Sequence, residues 1–431
     1  MINKIVNLLN NNKKISAWTI TESQSKSSEL FFVKEKLDMN RATNIHEFTL
    51  RIFVDFEEGG EKYKGDATML VSPTDTQEEI TSKIEQGVFS AGFVKNKWYD
   101  LPENEDIDCP KIQKFSNISD LNDNYEKLYN IIFKDYGFDS KLNSAELFAI
   151  EGSKRVVTSK GVDESFPYNE FTFEIVTDCN SGSEPVEIFK DYSLTNIDLK
   201  QIENIIKLQH EETEGRSKAV KNEKIENARV ILSGDAVEEL LSFYTIQASD
   251  SLVFMNISKV KVGSQFIDID AAEKLNIKLN PSLASSTFAR PVDSEGKKLQ
   301  GYDLFKNGKS INLITSSRFS HYLDLENKGT IKTFEVEGGQ LSLDEYLKED
   351  HIEILAFSSF LMDPTTGDFG GEFRLARYVH DGKIEYITGG SISENIFKEQ
   401  NKMKFSKELE NRKLSIAPKA IIFDGITVTG K

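Results

Sequence analysis

Apolar positions at helical spacing open the chain: Ile5, Leu8 and Leu9 form one stripe, and the asparagines at 10–12 end it. Strand-type stretches follow at 30–33, 48–54 and 67–71, with Gly59-Gly60 as a turn. Thr76 and Glu79 then stand at capping-box spacing ahead of a second stripe, Ile80, Ile84 and Val88. A helical stripe returns with Tyr125, Leu128, Tyr129 and Ile132, closed by Gly137. Strands are expected at 145–151, 155–159 and 171–176, where Phe171, Phe173 and Ile175 alternate with polar residues. Asp198 and Gln201 begin a helix through Leu199, Ile202 and Ile206, and the polar stretch 211–226 reads as its exit. From residue 228 onward strands dominate. Asn307-Gly308 and Asp381-Gly382, each between strand formers, predict tight hairpins. A helix over 235–246 and a short one over 342–347 are the exceptions, and no sequence repeat is evident.

This pattern predicts an α+β protein: N-terminal α/β-mixed units over 1–100 and 101–225, then a larger, mainly antiparallel β-rich domain over 226–431. The acidic, proline-marked stretch 100–120 reads as the linker between the first two. A chain of 431 residues is long enough for two or three cores.

Composition narrows the function classes. Lys plus Arg number 53 and Asp plus Glu 70, a formal charge of −17. That charge opposes a phosphate backbone or an anionic membrane as partner, and the basic pairs Lys154-Arg155 and Lys297-Lys298 are short and isolated. No apolar run reaches the roughly 18 residues of a membrane span, and the N-terminus lacks a secretory pattern, so a cytoplasmic protein is expected. The two cysteines, Cys109 and Cys179, fit neither a four-cysteine zinc site nor a CxxC motif.

No catalytic constellation emerges from residue chemistry. A two-histidine zinc helix needs two imidazoles close in sequence with a glutamate beside one. His46-Glu47 and His210-Glu211 supply only the first half; His46 falls in a strand, and His210 at a helix end where the macrodipole favours a cation. His321, His351 and His380 are isolated. Glu238 and Glu239, adjacent on a helix, diverge by about 100° and are read as favouring its first turns through the dipole. Gly370-Gly371 and Gly389-Gly390 are explained by turn geometry.

The C-terminal half nevertheless carries a signature. Asp363-Pro-Thr-Thr-Gly-Asp-Phe-Gly-Gly371, then Tyr378, Asp381-Gly382-Lys383-Ile384, Ser391-Ile392 and Asn395, resembles the TldD/PmbA family's "(D/N)P-x-TGDF … (Y/W)-x-x-x-G-x-I … x-I-x-x-N" pattern. The stretches 286–304 and 417–428 are similar to two further family segments. Glu372-Phe-Arg-Leu375 departs from the small residues usual after the motif.

The family, long labelled modulators of DNA gyrase, contains zinc peptidases of TldD type and PmbA/TldE-type partners without the ligands. TldD-type members carry His-Glu-x-x-x-His on a helix after a strand, plus a later cysteine. Here those slots fall on Ser242, Phe243 and Gln247, and no cysteine follows Cys179. The resemblance thus implies a metal-free subunit, with neither catalytic nor metal-ligating residues. It would pair with a TldD-type zinc peptidase that processes unfolded or flexible peptides, and would form a homodimer when isolated. Asp363, Thr366, Gly367, Asp368, Gly370 and Gly371 would shape the backbone or face the peptide, with Asp368 bonding local amides. The alternatives are a stand-alone peptide-binding or scaffold protein of the same fold, or a metal-free hydrolase with an unrecognised site.

Overall fold

The computed structural model describes residues 1–114, 121–182 and 184–430. It is α+β and built around three sheets. The last part of the expected linker, 115–120, lies outside the described residues.

The first sheet has seven strands: β1 (Ala17–Val33), β2 (Lys36–Glu58), β3 (Glu61–Val71), β4 (Asn96–Lys97), β5 (Lys141–Thr158), β6 (Asp163–Cys179) and β7 (Val186–Leu194), in the order β4-β3-β2-β1-β5-β6-β7. The division expected near residue 100 does not divide this sheet, because β1 pairs antiparallel with β5 from Thr19↔Thr158 to Val33↔Ser144. Four helices cover it: α1 (Ile2–Asn11), α2 (Gln77–Ala91), α3 (Tyr125–Ile132) and α4 (Leu199–Ser217). The chain thus runs twice through helix, three-strand meander, helix. Trp18 and Ile20 of β1 pack under α1 and α2, while Leu30 and Phe32 pack under α3 and α4. These four positions share one parity, so both helix pairs lie on the same face of the sheet, at opposite ends of β1. A half-turn about the sheet normal relates one meander to the other, a repeat that leaves no trace in the residues.

Local chemistry sets the helix starts. Thr76 and Glu79 close the expected capping box on α2. The Asp198 carboxylate accepts from the Lys200 and Gln201 amides to open α4. The exit expected at 211 is not there: α4 continues to Ser217, because Glu212 pairs with Lys190 of β7, Thr213 bonds Thr177 of β6, and Gly215 packs against Tyr386 of the C-terminal domain. His210 consequently lies inside the helix, not at a dipole-favoured end. Ser140 Oγ stands 2.9 Å from its Nδ1 and from its carbonyl, and burial holds its pKa below the ordinary value.

The C-terminal domain holds two sheets around a helix. Its strands are β8 (Val220–Lys221), β9 (Ile225–Ser233), β10 (Ile277–Leu279), β11 (Tyr302–Lys306), β12 (Lys309–Ser310), β13 (Phe334–Val336), β14 (His351–Met362), β15 (Asp368–His380), β16 (Lys383–Thr388), β17 (Ser391–Asn395), β18 (Lys404–Phe405), β19 (Leu409–Asn411), β20 (Ser415–Pro418) and β21 (Ala420–Val428). Eight strands run β18-β21-β9-β14-β15-β16-β8, with β17 on β15, and six run β12-β11-β10-β13-β20-β19. Most pairs are antiparallel, but β9 and β14 pair in parallel across helix α5 (Asp235–Gln247). Val237, Leu240, Leu241, Phe243 and Tyr244 of α5 are fully buried in the main core. Asn307-Gly308 and Asp381-Gly382 form the expected hairpins, all four residues at positive φ. The smaller helices are α6 (Asp250–Phe254), α7 (Ser317–Leu323), α8 (Leu343–Tyr346) and α9 (Ile396–Glu399).

The face of the first sheet that carries no helix meets the C-terminal domain. Arg51 of β2 bridges Asp66 and Glu295, each at 2.9 Å, and Phe53 and Tyr99 pack with Tyr322 of α7. At the far end, Gly215 of α4 rests on the Tyr386 ring with no room for a methyl group.

His210 gives a pH-dependent prediction. An unfolded histidine takes a proton near pH 6.5, whereas the folded one resists until lower pH. The stability it contributes is therefore present above that pH and is lost as the solution becomes more acid. The advantage of the wild type over His210→Gln in urea denaturation is expected to shrink from pH 7.5 to pH 5.5; an advantage that grows would contradict the assignment.

Candidate functional site

Helix α5 follows β9 across Gly234, whose φ of 63° favours glycine. This is the strand–helix position identified from sequence. Phe243 is fully buried, its ring 5.4 Å from Phe397 and 5.3 Å from Tyr244. Gln247 is fully buried too. Its Nε2 donates to the Pro364 carbonyl at 2.5 Å, and its Oε1 accepts from the Lys259 amide at 2.9 Å. Ser242, half-buried, turns its carbonyl to the Thr245 hydroxyl at 2.9 Å.

Upstream on the same helix, Glu238 accepts from the Leu414 amide at 2.8 Å and the Ser415 hydroxyl at 2.7 Å. Glu239 accepts from the Met362 amide at 3.1 Å. These carboxylates fasten α5 to the start of β20 and the end of β14, a role the dipole reading missed. Burial raises the pKa of both despite these hydrogen bonds.

The signature loop is the turn between β14 and β15, directly above Gln247. Asp363 Oδ1 accepts from the Thr365 and Thr366 amides at 2.7 and 3.2 Å, which holds its pKa below the usual carboxylate value. Asp368 takes a different partner from the expected backbone amides: Asn395 Nδ2 donates to its Oδ1 at 2.7 Å and to the Thr366 carbonyl at 3.0 Å. That bond lowers the Asp368 pKa, and Asn395 Oδ1 at the same time caps α9 through the Phe397 amide. Gly367 (φ 80°) abuts the Phe397 ring, where a Cβ would sit 2.7 Å from it. A Cβ on Gly370 would stand 2.1 Å from the Ile392 carbonyl, and one on Gly371 2.0 Å from the Ser359 carbonyl. Neighbouring strands on both sides therefore demand glycine here. Asp363, Thr366 and Asp368 remain exposed.

These residues do not fit a zinc ion. Zinc takes imidazole, thiolate or carboxylate donors. The three slots instead present a hydroxyl, a phenyl ring packed into the core, and an amide with both ends engaged. Among the described residues no group of three or more His, Cys, Asp or Glu side chains is placed to hold a metal. The histidines are dispersed: His46 lies 2.9 Å from Glu22, His321 packs edge-on against Trp98, His351 Nδ1 bonds the Glu349 carbonyl at 2.7 Å, and His380 stacks on Tyr378. Cys109 and Cys179 are free thiols. No helix among the described residues is long and apolar enough to cross a membrane.

Residues 225–430 match the family model of the PmbA/TldA metallopeptidase C-terminal domain, so this C-terminal domain is of the TldD/PmbA family. An uncharacterised protein of Methanocaldococcus jannaschii is 23% identical over 355 residues, covering 77% of this chain and 81% of that protein. The fold is similar to TldE from Thermococcus kodakarensis (TM-score 0.81, 18% identity, 99% of this chain and 100% of that one). It is also similar to a candidate modulator of DNA gyrase from Thermotoga maritima (TM-score 0.77, 16% identity, 100% of both chains).

Gln247 is the member of this site most open to test. Removing it strands a buried amide and a buried carbonyl, each worth about 1–3 kcal/mol when left unpaired. Gln247→Ala is expected to lower the unfolding free energy by about 2–4 kcal/mol in urea denaturation. A change within about 0.5 kcal/mol would mean that the amide is not a structural tie.

Proposed function

We propose that this chain is the metal-free, non-catalytic subunit of a TldD-type zinc peptidase, pairing with that peptidase to process unfolded or flexible peptides. The observation that carries the reading is the state of α5. At the positions where family peptidases place their metal ligands, this helix holds a core phenyl ring and an amide tied to the signature turn. A domain retained with this architecture and without ligands serves by packing on a partner, and a stable partner interface buries on the order of 1,200–2,000 Å² or more. The zinc belongs to the partner. On the first sheet β7 is an edge of nine residues, the type of edge to which an extended peptide can add as a strand.

The test is reconstitution with a TldD-type protein from the same genome. The chain alone is expected to leave unstructured peptides intact, and the mixture to elute as one complex and cleave them until a chelator is added. Substituting the glutamate of the partner's zinc helix abolishes cleavage, whereas Ser242→Ala in this chain preserves it. Cleavage by the isolated chain, or a partner that neither binds nor depends on it, would overturn the reading.

A further inference from the structure

In a chain with a formal charge of −17, four cations gather at one place, and none of them forms an ion pair within 4.0 Å among the described residues. Lys332, just before β13, and Lys413, just before β20, both reach over the Phe288 ring, their Nζ atoms 5.5 and 5.8 Å from its centroid. They are neighbours because β13 and β20 run parallel in the register Phe334↔Ser415. Phe288 stands on the loop 281–290, which the Ser286 hydroxyl pins to the Lys413 carbonyl at 2.5 Å. Two residues further, Arg290 gives Nη2 to the Thr330 carbonyl at 2.9 Å, while its Nε is buried with no acceptor. Ser285 Oγ, on the same loop, is likewise buried without a partner. Tyr168 lines a cleft together with Ser286 and Ala289 of that loop, and Lys154 of β5 lies over its ring at 4.6 Å. Burial, together with the charges of Arg290 and Lys332, pushes its pKa down.

Two acids act on Lys154, Glu170 and the exposed Glu47. Glu170 accepts from the Tyr168 and Ser193 hydroxyls. Asp293, opposite Arg290, accepts from the backbone amides of Glu295, Lys297 and Thr330. Like charges held together with unfilled donors and aromatic walls define a site completed by a small anion. The nearby acids and the net charge of the chain work against a polyanion. A single planar carboxylate suits both the guanidinium and the neighbouring ammonium groups.

We propose that Lys154, Arg290, Lys332 and Lys413 form a carboxylate-binding site between the first sheet and the C-terminal domain, and that its ligand is a carboxylate of a bound peptide. The inference rests on the peptide-handling reading above, and names where such a peptide is anchored.

Binding to the isolated chain tests it, by calorimetry with three N-acetylated, glycine- and serine-rich heptapeptides. One ends in a free carboxylate, one is C-amidated, and one is C-amidated with a central glutamate. The free acid is expected to bind at least about tenfold more tightly than the plain amide, the scale of a charge-assisted hydrogen bond. Lys332→Glu combined with Lys413→Glu, two exposed positions, is expected to erase that difference without lowering the melting temperature. If the glutamate peptide matches the free acid, the carboxylate is a side chain's; if it matches the plain amide, it is the C-terminal one. Both outcomes support the site. Equal binding of acid and plain amide, binding of neither, or a difference that survives the double reversal would overturn it. So would displacement of the free acid by inorganic phosphate at lower concentration than by acetate. No partner or zinc takes part, so failure here leaves the subunit reading standing, and failure of reconstitution leaves this binding result standing.

Discussion

The C-terminal domain depends on burying one helix on nearly every side. Helix α5 presents Val237, Leu240, Leu241, Phe243 and Tyr244 to a single core, so both sheets must close on it. Each such side chain taken out of water contributes about 1.5–3 kcal/mol before entropy is counted. Three polar side chains of the helix are tied to distant segments: Glu238 to the start of β20, the exposed Glu239 to the end of β14, and the buried Gln247 to the signature turn and Lys259. The same residues that fill the core thereby fix where the turn stands. A metal at this helix would need space and donors that the packing has already taken.

The N-terminal sheet is shaped by a different constraint. Strands of 17–23 residues are covered by helices at both ends of β1 on one face, and the opposite face receives the C-terminal domain. That contact places β5 and β6 beside the loop 281–290, so Lys154 and Tyr168 meet residues more than a hundred positions away.

Some of this was legible in the residues and some was not. Capping at Thr76 and Asp198, the two hairpin dipeptides and α5 followed from local rules, because each depends on neighbours within a few positions. The long strands were read as fragments: the middle of β1, residues 22–28, and of β2, residues 40–46, carries polar side chains whose pairing comes from the adjacent strand. The extension of α4 past His210 was hidden because the polar Glu212 is buried through its pairing with Lys190 of β7, and the small Gly215 by packing on Tyr386 of the other domain. The roles of Glu238 and Glu239, and the Asn395 bond to Asp368, depend on segments distant in sequence. The basic cluster was invisible for the same reason, since its members stand at 154, 290, 332 and 413 and only the fold joins them.

The central claim is that this chain has the architecture of a metallopeptidase domain and supplies no ligand to a metal. Elemental analysis of the chain purified without its partner, after dialysis against metal-free buffer, tests it most directly. The account predicts zinc far below one ion per chain. About one ion per chain, retained through dialysis and lost when any of the five histidines is replaced, would contradict it.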